Sequence, residues 1–179
     1  VGYCAVRTDG TLACWGGAPP PPAGTFTQVT VGSGFACAVR TNATVTCWGP
    51  NNQFGQQDAP VLLYSQVAAG NIHACGLVVN GTLVCWGDSS AEKTAAPAGN
   101  TWRTLTVGRG HGCATEFPFG MECWGTNQTG QASPPDENFV QVSAGWGHTC
   151  GIRPGGAVAC WGSDVWGESS PPPGTMASQ

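Results

Sequence analysis

The chain has 179 residues, 41% of them hydrophobic and only 9% charged, against about 25% charged in typical soluble domains. That length allows one domain with a real core, and the apolar content is too high for simple disorder. A net charge of −4 offers no basic patch for nucleic acid, and no apolar run approaches a membrane-spanning helix.

The chain opens at Val1-Gly2-Tyr3-Cys4, without Met or a signal peptide, as expected of a processed protein or of part of a longer one. Cys4 to Gly16 then sets a pattern that returns at residues 37–49, 75–87, 113–125 and 150–162. In each copy a second cysteine follows the first by ten residues, and Trp-Gly follows that. Alternate residues such as Cys4, Val6, Leu12 and Cys14 are apolar or cysteine, which is the period of a strand. Thr8-Asp9-Gly10 and Val79-Asn80-Gly81 supply the Asx-Gly chemistry of a short hairpin turn. Copy two has Ala43 at the glycine position, which predicts a strained or different turn. Copy five turns through Pro154-Gly155-Gly156.

A hairpin over Cys4–Cys14 places the two cysteines opposite each other, within reach of a disulfide. The same pairing gives Cys37–Cys47, Cys75–Cys85, Cys113–Cys123 and Cys150–Cys160. A rival scheme joins the second cysteine of one copy to the first of the next, but those gaps vary while the internal gap does not. Zinc sites need Cys-x-x-Cys pairs, and none is present. Each local bridge would contribute roughly 2.5–3 kcal/mol through chain entropy. Ten paired cysteines point to an oxidising, extracellular compartment. The sequons at Asn42, Asn80 and Asn127 agree with it, and two of them fall at hairpin tips.

Between hairpins runs a second recurring stretch: 25–32, 64–70, 102–108 and 139–145. Each starts at or near an aromatic residue, alternates apolar with polar, and reads as a short strand. A polar loop follows several Trp-Gly pairs, as at 51–56, 126–131 and 163–168, and Pro-rich spacers follow the loops. The first cysteines stand 33, 38, 38 and 37 residues apart. A unit of that size, with three or four short strands and no helical pattern, cannot bury its apolar face alone. The fold expected is all-β: a propeller-like array of five short antiparallel sheets in one repeat domain over 1–179, with one disulfide per hairpin. Residues 175–179 resemble the start of another opening strand, matching Thr25 to Gln28. That tail would close the ring, pair with a neighbouring chain to build a filament, or mark a window of a longer array.

Val-x-x-Gly-x-x-His-x-Cys, Gly-x-x-x-Cys-Trp-Gly and Asn-x-x-Gly-Gln, best seen at 64–93 and 139–168, resemble the regulator of chromosome condensation repeat. The cysteine-bearing version looks like the ectodomain repeats of Crinkly-type plant receptor kinases. It is also similar to the propeller of the secreted beta-lactamase inhibitor protein II. The resemblance implies a β-propeller. No activity transfers with it, because the nuclear members' role is opposed by paired cysteines and acidic charge.

His73, His111 and His148 share one repeat position, where unit two has Phe35. Equivalent positions of a propeller lie on a ring, so a shared metal is conceivable, but each His is expected instead to bond neighbouring backbone. The repeat-wide tryptophans, Trp15, Trp48, Trp86, Trp124 and Trp161, are expected to pack between units. Trp146 and Trp166 fall outside that set and are the candidates for stacking on a ligand such as a sugar. Gly108-Arg-Gly-His-Gly112 looks like a phosphate loop but lacks its helix and lysine. The carboxylates share no repeat position, and no Gly-x-Ser-x-Gly or His-Glu-x-x-His occurs. The expectation is therefore a non-enzyme without metal or cofactor, secreted, whose partners are other copies of itself, another extracellular protein, or glycans.

Overall fold

The structure, a computed structural model, describes residues 2–118, 120–172 and 174. It is all-β, in five antiparallel sheets taken in chain order. The first holds β1 (Tyr3–Val6) and β2 (Leu12–Trp15); the second holds β3 (Phe26–Val31), β4 (Ala36–Arg40) and β5 (Val45–Trp48). The third holds β6 (Tyr64–Ala69), β7 (His73–Val78) and β8 (Leu83–Gly87). The fourth holds β9 (Trp102–Val107), β10 (His111–Glu116) and β11 (Met121–Gly125). The fifth holds β12 (Gln141–Ala144), β13 (His148–Ile152) and β14 (Val158–Gly162). Four units thus have three strands, and the first has two among the described residues. The tail at 175–179, expected to begin another strand, lies outside the described residues.

Every hairpin carries its local disulfide. Cys4 faces Cys14, Cys37 faces Cys47, Cys75 faces Cys85, Cys113 faces Cys123 and Cys150 faces Cys160, each in register. Their Cα atoms lie 4.0–4.1 Å apart, and no cysteine is free among the described residues. The alternating pattern explains what the bridges pack against. Cys37 and Val39, with Val45 and Cys47 beside them, meet Tyr64 and Val67 of the next unit. Cys75 and Leu77, with Leu83 and Cys85, meet Trp102 and Leu105. The apolar clusters therefore lie between units, as expected of repeats that cannot bury a face alone.

The aromatic residue that opens each later unit, Phe26, Tyr64, Trp102 or Phe139, is buried. Burying such a ring contributes about 1.5–3 kcal/mol. The residue after the first cysteine makes room for it: this is Ala38, Gly76, Ala114 or Gly151, never larger. The Tyr64 ring occupies the space a Cβ on Gly76 would need, and Phe139 does the same at Gly151.

Side chains of the opening strands also join neighbouring units. The Gln28 amide donates to the Val67 carbonyl (2.8 Å) and accepts from the Val67 N–H (2.9 Å). Gln66 makes the same pair with Leu105, at 2.7 and 3.0 Å. Thr30 and Thr106 accept from the N–H groups of Ala69 and Ala144. At the strand ends the backbone continues the ladder: Ser33 N–H donates to Asn71, Asn71 to Arg109, and Arg109 to Gly145.

Candidate functional site

The opening strands of units two to five end on four equivalent glycines, Gly32, Gly70, Gly108 and Gly145. A Cβ on Gly32 would lie 2.6 Å from the Gly70 carbonyl, and one on Gly70 would lie 2.6 Å from the Gly108 carbonyl. Glycine is what lets the units approach this closely. The glycines and their neighbours line a cavity of about 550 Å³, to which Gly2 and Gly17 of the first unit also contribute. Five repeats facing one cavity define a central axis, which is the propeller arrangement.

One position of the repeat presents its side chains there, the residue after the inner glycine: Ser33, Asn71, Arg109 and Trp146. Trp146 is 71% exposed, and the Arg109 guanidinium lies 4.3 Å over its ring centroid, a cation–π contact. Trp166 is 90% exposed on the polar loop after β14, and it does not line the axial cavity. The two tryptophans singled out by the sequence are thus both exposed, and Trp146 borders the axial cavity.

The histidines sit differently from expectation. Each ring packs against the inner glycine of its own unit, as Phe35 packs on Gly32. His111 does not bond backbone: its Nε2 is 2.8 Å from the Thr149 hydroxyl of the next unit, which in turn donates to the Gln131 carbonyl. The residue equivalent to Thr149 in the fourth unit is Gly112, which has no hydroxyl, and both ring nitrogens of buried His73 lack a hydrogen bond. Burial lowers both His73 and His111 to a pKa of about 4, with Lys93 and His148 respectively adding repulsion. Among the described residues no three His, Cys, Asp or Glu side chains are arranged to hold a metal ion. Gly108 to Gly112 runs straight into β10, a strand rather than a phosphate-binding helix.

The repeat-wide tryptophans do join units. The indole N–H of Trp48, Trp86, Trp124 and Trp161 donates to Pro19, Gln56, Lys93 and Gln131 carbonyls on the preceding unit, at 3.0–3.3 Å. Trp15 is the exception, 54% exposed and stacked on Tyr3, because among the described residues no earlier loop covers it. The polar loops are built around their own side chains. Gln56, Gln131 and Glu168 each accept from the N–H two residues earlier, and Asn52, Asn127 and Asp164 from the N–H five residues later.

The sequon residues have structural partners too. Asn42 Oδ1 accepts from the N–H and hydroxyl of Thr44, and Asn80 Oδ1 from those of Thr82. Asp9 and Thr11 make the identical turn in the first unit, so Asn-x-Thr at these tips is hairpin chemistry as well as a sequon. Asn42, Asn80 and Asn127 are all exposed. Of the two outcomes expected at Ala43, a strained turn or a different one, the structure has the first: the turn is the same, with Ala43 at a left-handed φ of 66° where Gly10 and Gly81 have 82° and 86°.

Three stretches, 26–56, 64–91 and 139–167, match the regulator of chromosome condensation (RCC1) repeat. No curated protein matches the chain by sequence. Among solved structures, the ectodomain of the Physcomitrella patens receptor kinase CR4 is 28% identical, with a TM-score of 0.76 over 90% of this chain and 49% of that one. The Crinkly ectodomain of the Arabidopsis thaliana receptor kinase ACR4 is 25% identical, with a TM-score of 0.74 over 90% of this chain and 60% of that one. Yeast RCC1 (Prp20), solved with Kap60 bound, shares the fold at 16% identity and a TM-score of 0.74, over 91% of this chain and 54% of that one. The chain thus spans about half to three-fifths of the length of these propellers.

Proposed function

Three of the five units match the regulator of chromosome condensation repeat, and on that premise we propose that the chain is a non-enzymatic extracellular interaction module acting as one repeat domain. The observation that carries this reading is a disulfide in every hairpin of a fold shared with receptor ectodomains. Such cross-links belong to oxidising compartments. Exposed Asn42, Asn80 and Asn127 would carry glycans there, supplying the solubility that a surface with few charges lacks.

The finer part of the proposal is self-association head to tail into an extracellular filament. Its support is the first sheet, which among the described residues has two strands. In the other four sheets the first-cysteine strand is covered by an opening strand; at β1 that edge would accept a strand from a neighbouring copy. Use as a lectin, or as a protein-binding inhibitor or receptor ectodomain, is the alternative.

The test is expression through a secretory pathway, then intact mass before and after reduction and deglycosylation. Five disulfides and occupied sequons are expected; ten free thiols in the exported protein would end the extracellular reading. Light scattering across a concentration series addresses assembly, and a uniform monomer at high concentration would end the filament part.

A further inference from the structure

The chain has six Lys and Arg residues, and most are engaged within the fold. Lys93 pairs with Asp88, and Arg153 with Glu137. Arg40 bonds Thr46 and lies over Phe26, and Arg7 bonds Thr11. Arg109 is different. Like Arg103 it is exposed and has no carboxylate partner among the described residues, but it borders the axial cavity and is held in place by the Trp146 indole. Positioning a guanidinium in this way lowers the conformational entropy lost when it meets an anion.

The surroundings complete a site. The floor of the axial cavity is glycine backbone, so a ligand can approach it closely. Asn71 adds an amide and Ser33 a hydroxyl on the same rim. Asn71, Arg109 and Trp146 also border a second cavity of about 400 Å³, so the Arg–Trp pair stands between two hollows. Both volumes are of the size that small-molecule sites use, about 300–1,000 Å³. The repeat position that supplies Ser33, Asn71, Arg109 and Trp146 has four different side chains, while the glycine before it is unchanged. Packing fixes the glycine; packing does not ask for a hydroxyl, an amide, a guanidinium and an indole in sequence.

That set has a specific complement. A flat exposed indole accepts the C–H face of a sugar ring, an amide and a hydroxyl pair with ring hydroxyls, and a guanidinium takes a carboxylate in a charge-assisted pair. We propose that the axial cavity binds an acidic saccharide, with its carboxylate on Arg109 and a ring on Trp146. The site does not depend on self-association, so the assembly test and the binding test can fail separately.

The experiment is calorimetric titration of the intact, disulfide-bonded protein with a galacturonic acid trimer. The methyl-esterified trimer and an Asp/Glu hexapeptide serve as comparisons. Saturable binding of the acid trimer is expected. Esterification, Arg109→Gln and Trp146→Ala should each weaken it by about tenfold or more, the loss of one charge-assisted pair or one stacking contact. Arg103→Gln removes the same charge from a different exposed site and should leave binding unchanged, as should Trp166→Ala. Both test positions are exposed, so the variants should keep the parent melting temperature. The proposal is overturned by absence of saturable binding, by equal binding of the ester, by preference for the acidic peptide, or by full affinity in Arg109→Gln.

Discussion

The backbone N–H of Tyr64 donates to the carbonyl of Ala43 at 2.7 Å, tying the hairpin tip of one unit to the first strand of the next. Phe26 does the same to Gly10 and Trp102 to Gly81. The tip must therefore keep its left-handed turn even where the residue is alanine. A non-glycine residue in that conformation is strained, and glycine is not. Ala43→Gly is expected to stabilise the protein by about 0.5–1 kcal/mol, the relief of strain less the extra chain entropy of glycine. Urea denaturation measures it, and a lowered midpoint would contradict the strain.

The paired amide bonds between units carry a second prediction. Gln66→Ala leaves the Leu105 N–H and carbonyl without their side-chain partner, and should cost about 2 kcal/mol. Gln66→Glu should also destabilise at neutral pH, since a carboxylate cannot donate to the Leu105 carbonyl. Faster hydrogen exchange at the Leu105 amide, with distant amides unchanged, would locate the effect between the third and fourth units.

The buried histidines set a pH dependence. In the folded protein burial keeps His73 and His111 neutral down to a pKa of about 4, below the ordinary 6.5. Between those values the unfolded chain binds more protons, so stability is complete above pH 6.5 and falls as pH drops toward 4. His73→Phe puts in the side chain that unit two already uses at this position. It should flatten part of the profile and hold or raise stability at pH 7, because both ring nitrogens of His73 are buried without partners. Thermal melts from pH 4 to 7.5 decide it; an unchanged slope would mean that His73 is not the titrating group.

The inner glycines supply the sharpest steric prediction. A Cβ on Gly108 would overlap the Gly145 carbonyl of the next unit. Gly108→Ala should cost about 3 kcal/mol or more, since the Gly145 backbone on one side and the buried His111 ring on the other must both move. Circular dichroism melts give the loss, and a near-neutral result would show that neighbouring units are not held this closely.

The hairpins and their disulfides were legible because the signals are local and repeated: a ten-residue cysteine spacing, period-two alternation and Asx-Gly turns. The aromatic at the head of each unit could be read as a strand start, but not as the plug over the next-to-cysteine Ala or Gly. That contact crosses between neighbouring strands of one unit, and the alternation along a single strand does not mark it. The backbone bonds expected of His73 and His111 fail for a different reason. Whether a ring finds a partner depends on the neighbouring unit, Thr149 for His111 and Gly112 for His73, and no pattern within one repeat records that. Ala43 broke the glycine rule without breaking the turn, because Asn42 and the Tyr64 contact hold the conformation from both sides. Trp146 stood out by lacking equivalents. The cavity beside it, and the guanidinium stacked on it, came only from the arrangement of units around an axis.

Asp9 and Asn42 perform one job at the tips of two units, differing by an oxygen in place of a nitrogen. Exchanging one for the other leaves the turn, the bridge beneath it and the contact to the following unit alone. On the proposed extracellular reading, the places where sugars would attach are then free to shift from tip to tip, adding or erasing a bulky, water-rich cover while the scaffold stays as it was.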